Sequence, residues 1–280
     1  MPLEAEAPPP RRRGDPAFAI RLWSALVLAP VALASAWLGG IAFGLVVAVA
    51  TSLMCFEWTH MSDREAPRWV WVAQAVFVAV AILLGAGGQF GFALAVLVAG
   101  AVAGGIERAR RGKIWRAAFG ALYIGLPFLA LIWLREAPER GVAALFVLFA
   151  MVWAADIGAY ISGAWLGGPK LAPRVSPNKT WTGLIAGVAV GAVAGAAGFA
   201  VVGGTPVFGA AAGLLVSLSA MGGDLFESVL KRHFGVKDAG SIIPGHGGVL
   251  DRVDALMGAV LMFAALVSFI PAARAGFFGG

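Results

Sequence analysis

Apolar residues run through this chain in long blocks that polar residues interrupt at fairly regular intervals. A helix needs about 20 mostly apolar residues to cross a bilayer. Nine blocks qualify, at roughly 17–38, 40–57, 69–87, 89–106, 117–134, 141–164, 181–203, 207–227 and 254–273. Within each block apolar residues cover every face, whereas a membrane barrel strand alternates polar and apolar. The pattern therefore predicts nine helices. Only Gly39 and Gly40 separate the first two, which predicts a tight turn. The sixth and eighth blocks carry acidic residues toward one end.

Composition strengthens this reading. The chain of 280 residues is 60% hydrophobic and only 13% charged, against about 25% charged in an ordinary soluble domain. Its 39 glycines suit close helix–helix approach in lipid. The expected fold class is all-α: a polytopic integral membrane helical bundle of about nine transmembrane helices. A Pro-rich start, MPLEAEAPPPRRRGDP, reads as a flexible cytoplasmic tail over 1–16. Helices of 17–140 are expected to form an amino-terminal part, and 141–280 a catalytic part with loops at 165–180 and 228–253. No A-x-A cleavage site stands out after the first apolar run, so a cleaved leader is not expected. A single Cys55 excludes an internal disulfide and reads as a small core residue.

Charge gives the orientation. With the tail inside, eighteen of the 21 Lys and Arg residues fall on inside segments, and only Arg135, Arg140 and Arg274 fall outside. This is the bias that positive-inside insertion produces. The chain is therefore expected in the inner (cell) membrane, with its amino terminus inside and its carboxyl terminus on the opposite side. The net charge of +6 is taken up by those loops and by anionic lipid, so nucleic acid is not an expected partner.

The densest chemistry lies late in the chain. Asp224, Glu227, Ser228 and Lys231 are spaced i, i+3, i+4 and i+7, one stripe of a helix. A carboxylate at membrane depth costs several kcal/mol unless a partner, water or a metal meets it, so the stripe must face protein or a wet cavity. Next comes PGHGGVLDRVD, in which Gly245, Gly247 and Gly248 surround His246. Such glycines let backbone amides approach an anion. Asp251 and Asp254 follow at i, i+3 and open the ninth helix, where acidic residues also suit the helix dipole. Carboxylates on two helices beside a glycine loop suit Mg²⁺, which takes hard oxygen ligands. Lys231, Arg232, Lys237 and Arg252 add cations for phosphate oxygens. His246 has two open roles, phosphate contact and proton shuttling.

A second cluster, DIGAYISGAWLGGPKLAPRVSPNKTWTG, spans 156–183. Asp156 and Tyr160 share a helical face. Ser176, Asn178, Lys179 and Thr180 offer hydroxyl, amide and ammonium groups to a lipid phosphate or a nucleotide triphosphate. No G-x-x-x-x-G-K-[ST] motif is present, which argues against a P-loop ATPase.

The run SVLKRHFGVKDAGSIIPGHGGVLDRVD, 228–254, resembles the signature of phosphatidate cytidylyltransferases, also called CDP-diacylglycerol synthases. Ser228, Lys231, Arg232, Lys237, Asp238, Pro244, His246, Gly247, Gly248, Asp251, Arg252 and Asp254 fill its fixed positions. DIGAY and SPNKTW look like the family's upstream motifs. The resemblance implies that CTP and phosphatidic acid give CDP-diacylglycerol and pyrophosphate at the lipid bilayer's cytoplasmic face. It also implies Mg²⁺, with K⁺ as a companion ion, and maps the metal-bearing acids onto Asp224 and Asp251. Catalytic roles are then expected for Asp224, Asp251, Lys231, His246 and Arg252. Phosphate or nucleotide contacts are expected for Ser176, Asn178, Lys179, Thr180, Ser228, Arg232, Lys237, Gly247, Gly248 and Asp254. One departure is Thr182, which stands where the family often has Glu.

Rival readings are a coupled transporter and a CDP-alcohol phosphotransferase. The first expects matched interrupted spans in the two halves, and none is evident. The second needs D-G-x-x-A-R, which is missing from the sequence. Acyl preference stays open, as does a homodimer.

Overall fold

The computed structural model describes residues 16–109, 112–243, 245 and 247–271, with only the backbone described over 16–25. His246, Pro244, Arg110, Arg111, the tail and Arg274 lie outside the described residues. Nine helices occur among the described residues, in the order α1 Pro16–Leu38, α2 Gly40–Ser62, α3 Arg68–Ala86, α4 Phe90–Ala109, α5 Ile114–Arg135, α6 Gly141–Leu166, α7 Trp181–Val201, α8 Pro206–His233 and α9 Leu250–Phe269. Eight of them, α2 to α9, are long and apolar enough to cross a membrane. Many of their large apolar side chains point outward, including Trp153, Ile185 and Val193. In water that would be ruinous, whereas in lipid it is the expected outer surface. The chain is an integral membrane protein.

Two packing groups share one apolar core. Helices α2, α3, α4 and α5 form one, and α6, α7, α8 and α9 the other, with α5 and α2 also reaching α9. Small residues set the spacing in the second group. Gly183, Gly187, Gly191 and Gly195 recur every four residues along one buried stripe of α7. A Cβ at Gly187 would stand 2.7 Å from the Ala155 carbonyl oxygen of α6, and one at Gly191 3.3 Å from the Ala155 Cβ. Backbones that approach this closely gain van der Waals contact, which drives helix association in lipid.

The tight turn expected at Gly39 and Gly40 is present, with φ of 68° and 52°. Arg135 of α5 donates to the Ala36 and Trp37 carbonyls, and Glu136 accepts the Gly40 N–H at 2.7 Å. Two boundaries differ from expectation in a consistent way. Helix α8 continues to His233 and α9 begins at Leu250, so the connecting loop shrinks to 234–249. Apolar content marks the membrane-embedded part, but helical hydrogen bonding continues into polar turns beyond it. The expected loop 165–180 also holds a small antiparallel hairpin, β1 Lys170–Ala172 and β2 Ser176–Thr180, with Lys170 opposite Thr180.

Candidate active site

The hairpin leads directly into α7, and Thr180 makes the junction. Its hydroxyl oxygen accepts the Gly183 N–H at 3.1 Å, an N-cap that satisfies one of the helix's free amides. Thr182 donates its hydroxyl to the Gly167 carbonyl and lies 3.0 Å from the Thr180 hydroxyl. Thr182 thus ties the start of α7 to the end of α6. A carboxylate at that position has no proton to donate to that carbonyl.

Between α6, the hairpin, α7 and α8 lies a cavity of about 460 Å³, lined by Asp156, Tyr160, Asn178, Lys179, Thr180 and Asp224 among others. Across it Lys179 Nζ stands 2.6 Å from Asp224 Oδ2. Ser228 extends its hydroxyl toward Asp224 Oδ1 at 3.5 Å. Asp156 and Asp254 are each close enough to repel the Asp224 charge. Asp156, on α6, is therefore part of the constellation, although the signature run does not include it.

A second ion-pair group lies between α8 and α9. Lys231 donates to Glu227 Oε2 at 2.6 Å and to Asp251 Oδ1 at 2.7 Å. Asp251 also accepts the Ala239 N–H at 3.0 Å and the Gly248 N–H at 3.0 Å. Asp254 lies close enough to the fully buried Glu227 to repel its charge. Gly247 pairs with Ile243 in an antiparallel bridge at φ 87°. The amides of the glycine loop therefore turn inward, onto Asp251 and Ile243, and the carboxylate of Asp251 fills the anion nest. Arg232 reaches the Val175 and Val236 carbonyls at 3.4 and 3.2 Å, linking the hairpin to the end of α8. Ser176 is half-buried on β2, Asn178 is exposed, Arg252 is exposed on α9, and Lys237 is exposed in the loop.

The stripe on α8 thus serves two neighbours. Asp224 lines the cavity with the Ser228 hydroxyl turned toward it, and Glu227 and Lys231 address α9. Sequence spacing brought these four together but did not divide them.

The donor set suits a hard divalent cation. Carboxylate oxygens predominate, and Glu227 Oε1 is buried with no hydrogen-bond partner. Asp224 and Asp251 each already hold a lysine ammonium at contact distance, so both positions stabilise positive charge. Among the described residues no three His, Cys, Asp or Glu side chains form a cage of their own. Phosphate and water oxygens would complete the shell, as is usual for Mg²⁺.

A site of paired acids and lysines beside a cavity, carried on helices long and apolar enough to cross a membrane, is chemically suited to phosphate-bearing substrates. Residues 19–270 match the model of the cytidylyltransferase family, and the chain belongs to that family. Similar proteins include the phosphatidate cytidylyltransferase of Brucella suis biovar 1 (strain 1330), 38% identical over 253 residues, covering 86% of this chain and 90% of that one. The phosphatidate cytidylyltransferase of Pseudomonas aeruginosa is 36% identical over 268 residues, covering 88% and 96%. That of Bacillus subtilis is 41% identical over 140 residues, covering 49% and 52%.

Proposed function

We propose that this chain transfers the cytidylyl group of CTP to phosphatidic acid, releasing pyrophosphate and forming CDP-diacylglycerol. What supports the reading most is the likeness to phosphatidate cytidylyltransferases over most of the chain, together with the cavity between Lys179 and the acids of α6 and α8. In the reaction a phosphate oxygen of phosphatidate attacks the α-phosphorus of CTP. A new P–O–P linkage forms, the α–β bridge breaks, and its electron pair leaves with pyrophosphate. The lipid phosphate is itself the nucleophile, so no covalent enzyme intermediate is required.

The residues act by position and charge. Lys179 faces the cavity and would hold phosphate oxygens, and Lys231, Arg232 and Arg252 add positive charge around the α8–α9 end. Asp224 and Asp251 would hold Mg²⁺, with K⁺ as a companion ion. Bound Mg²⁺ supplies charge neutralisation on the triphosphate and the leaving group. Acyl chains would stay in lipid while CTP enters from the cytoplasm, which requires the site on the inner face of the cell membrane.

Purified protein with CTP, phosphatidic acid and Mg²⁺ should yield CDP-diacylglycerol and pyrophosphate, resolved by thin-layer chromatography, and a chelator should abolish both. Turnover without phosphatidic acid, or no lipid product at all, would refute the reading.

A further inference from the structure

We infer that Glu57, in the amino-terminal helix group, is a positioning residue for the acids of α9. The inference rests on the proposed role of Asp251 in cytidylyl transfer.

Glu57 lies on α2 and is 1% exposed. A buried carboxylate needs strong partners, and this one has backbone amides. Its Oε1 accepts the Val249 N–H and its Oε2 the Leu250 N–H, both at 2.9 Å and across 192 and 193 residues of sequence. The first amides of a helix have no partner within the helix. Val249, the N-cap of α9, offers no side-chain cap. The cap of α9 is therefore supplied from another helix, and its negative charge sits at the positive end of the helix dipole.

With the Val249 and Leu250 amides taken by Glu57, Asp251 accepts instead from Lys231 and from the Ala239 and Gly248 amides. It also fixes where Asp251 points. Gly248 passes between the two carboxylates. A Cβ there would stand 2.9 Å from Glu57 Oε2 and 3.0 Å from Asp251 Oδ2. At Gly240 a Cβ would stand 2.6 Å from Glu57 Oε1. The loop is thus moulded around Glu57 on one side and Asp251 on the other. Its other end is held by the neighbouring residue of α2, since Trp58 packs edge-on against Phe234 at 5.8 Å between ring centres. Two adjacent residues of α2 therefore grip both ends of the loop that leads into the acids of α9. Any loosening at Glu57 moves the start of α9, and Asp251 with it.

Three variants and one measurement on the unaltered protein test this. Glu57→Gln keeps the volume but turns an NH₂ group toward one of the two amides. The expected result is a kcat lower by about 10- to 100-fold, the scale on which small misplacements act, with the KM for CTP within about threefold. Glu57→Ala should fall at least as far, and Glu57→Asp, shorter but charged, should recover part of the loss. Glu57→Gln with the kcat of the unaltered protein overturns the inference. So does a lowered melting temperature with unchanged kcat per folded molecule. If the variants fail to fold, hydrogen exchange on the unaltered protein decides. Val249 and Leu250 amides should exchange far more slowly than Ser241 in the same loop, and equal rates overturn the cap. If the unaltered protein makes no CDP-diacylglycerol yet protects both amides, the proposed function fails and the cap stands.

Discussion

At the scale of single residues, the most telling contact is the one between Lys179 and Asp224 at 2.6 Å. Two roles fit a lysine there. It could simply neutralise a carboxylate in a low-dielectric setting, or it could hold substrate phosphate. Charge-assisted hydrogen bonds contribute about 1.5–3 kcal/mol, so Lys179→Met should lower kcat/KM for CTP by about 10- to 100-fold. Stability of the double variant with Asp224→Asn separates the roles. Were neutralisation the whole role, Lys179→Met would lower the melting temperature, removing both charges would restore it, and CTP binding to Lys179→Met would be unchanged. The expected outcome is weakened CTP binding by Lys179→Met, read by equilibrium binding beside thermal unfolding of all three proteins. Thr182 makes a different kind of contribution. Replacing it with Val removes its donation to Gly167 and should lower stability by about 0.5–1.5 kcal/mol, the usual net worth of a hydrogen bond. Thermal unfolding in detergent would measure it. These polar assignments were partly legible in the sequence, because spacing put Asp224, Ser228 and Lys231 on one helical face. Glu57 was not legible as a site. A single Glu at the end of an apolar block looks like a marker of the membrane boundary, and its partners are 192 residues away.

At the scale of elements, blocks of apolar residues announced the helices, and their ends proved harder. Helix α2 runs on to Ser62, α8 to His233, and α9 starts at Leu250. These extensions are polar, so hydropathy stops before the backbone does. The hairpin was hidden for a related reason. Its strands have three and five residues, too short for alternation to declare itself. The α7 stripe offers a test of what holds the second helix group. At Gly191 a Cβ would meet the Ser217 hydroxyl, with Ser217 Cβ at 3.1 Å and Ala155 Cβ at 3.3 Å. Gly191→Leu should therefore push α7 from both α6 and α8, and overpacking of that kind costs about 1–3 kcal/mol or more. Val193, two residues on, is 69% exposed on the outer surface. Val193→Leu should leave the melting temperature and turnover unchanged. Equal effects of the two substitutions would mean that the stripe does not set the packing.

At the scale of the whole molecule, several connections meet at one end. Phe234 after α8 packs against Trp58 at the end of α2 and Trp115 at the start of α5, and Arg232 joins the hairpin to α8. The ends of α2, α5, α8 and α9 and the β1–β2 hairpin therefore share a face, which is the face that collects Lys and Arg. Positive charge resists translocation, so this face should be cytoplasmic, where CTP is available. Cysteine labelling can test it cleanly, because Cys55 is fully buried and the native chain has one Cys. Ser241→Cys places a thiol in the exposed part of the α8–α9 loop, and Thr205→Cys places one in the exposed α7–α8 turn. A membrane-impermeant maleimide should label position 205 from outside intact spheroplasts and position 241 only in inverted vesicles. The opposite pattern would set the acids, Lys179 and the cavity on the side where CTP is absent, and the cytidylyl-transfer reading would lose its substrate.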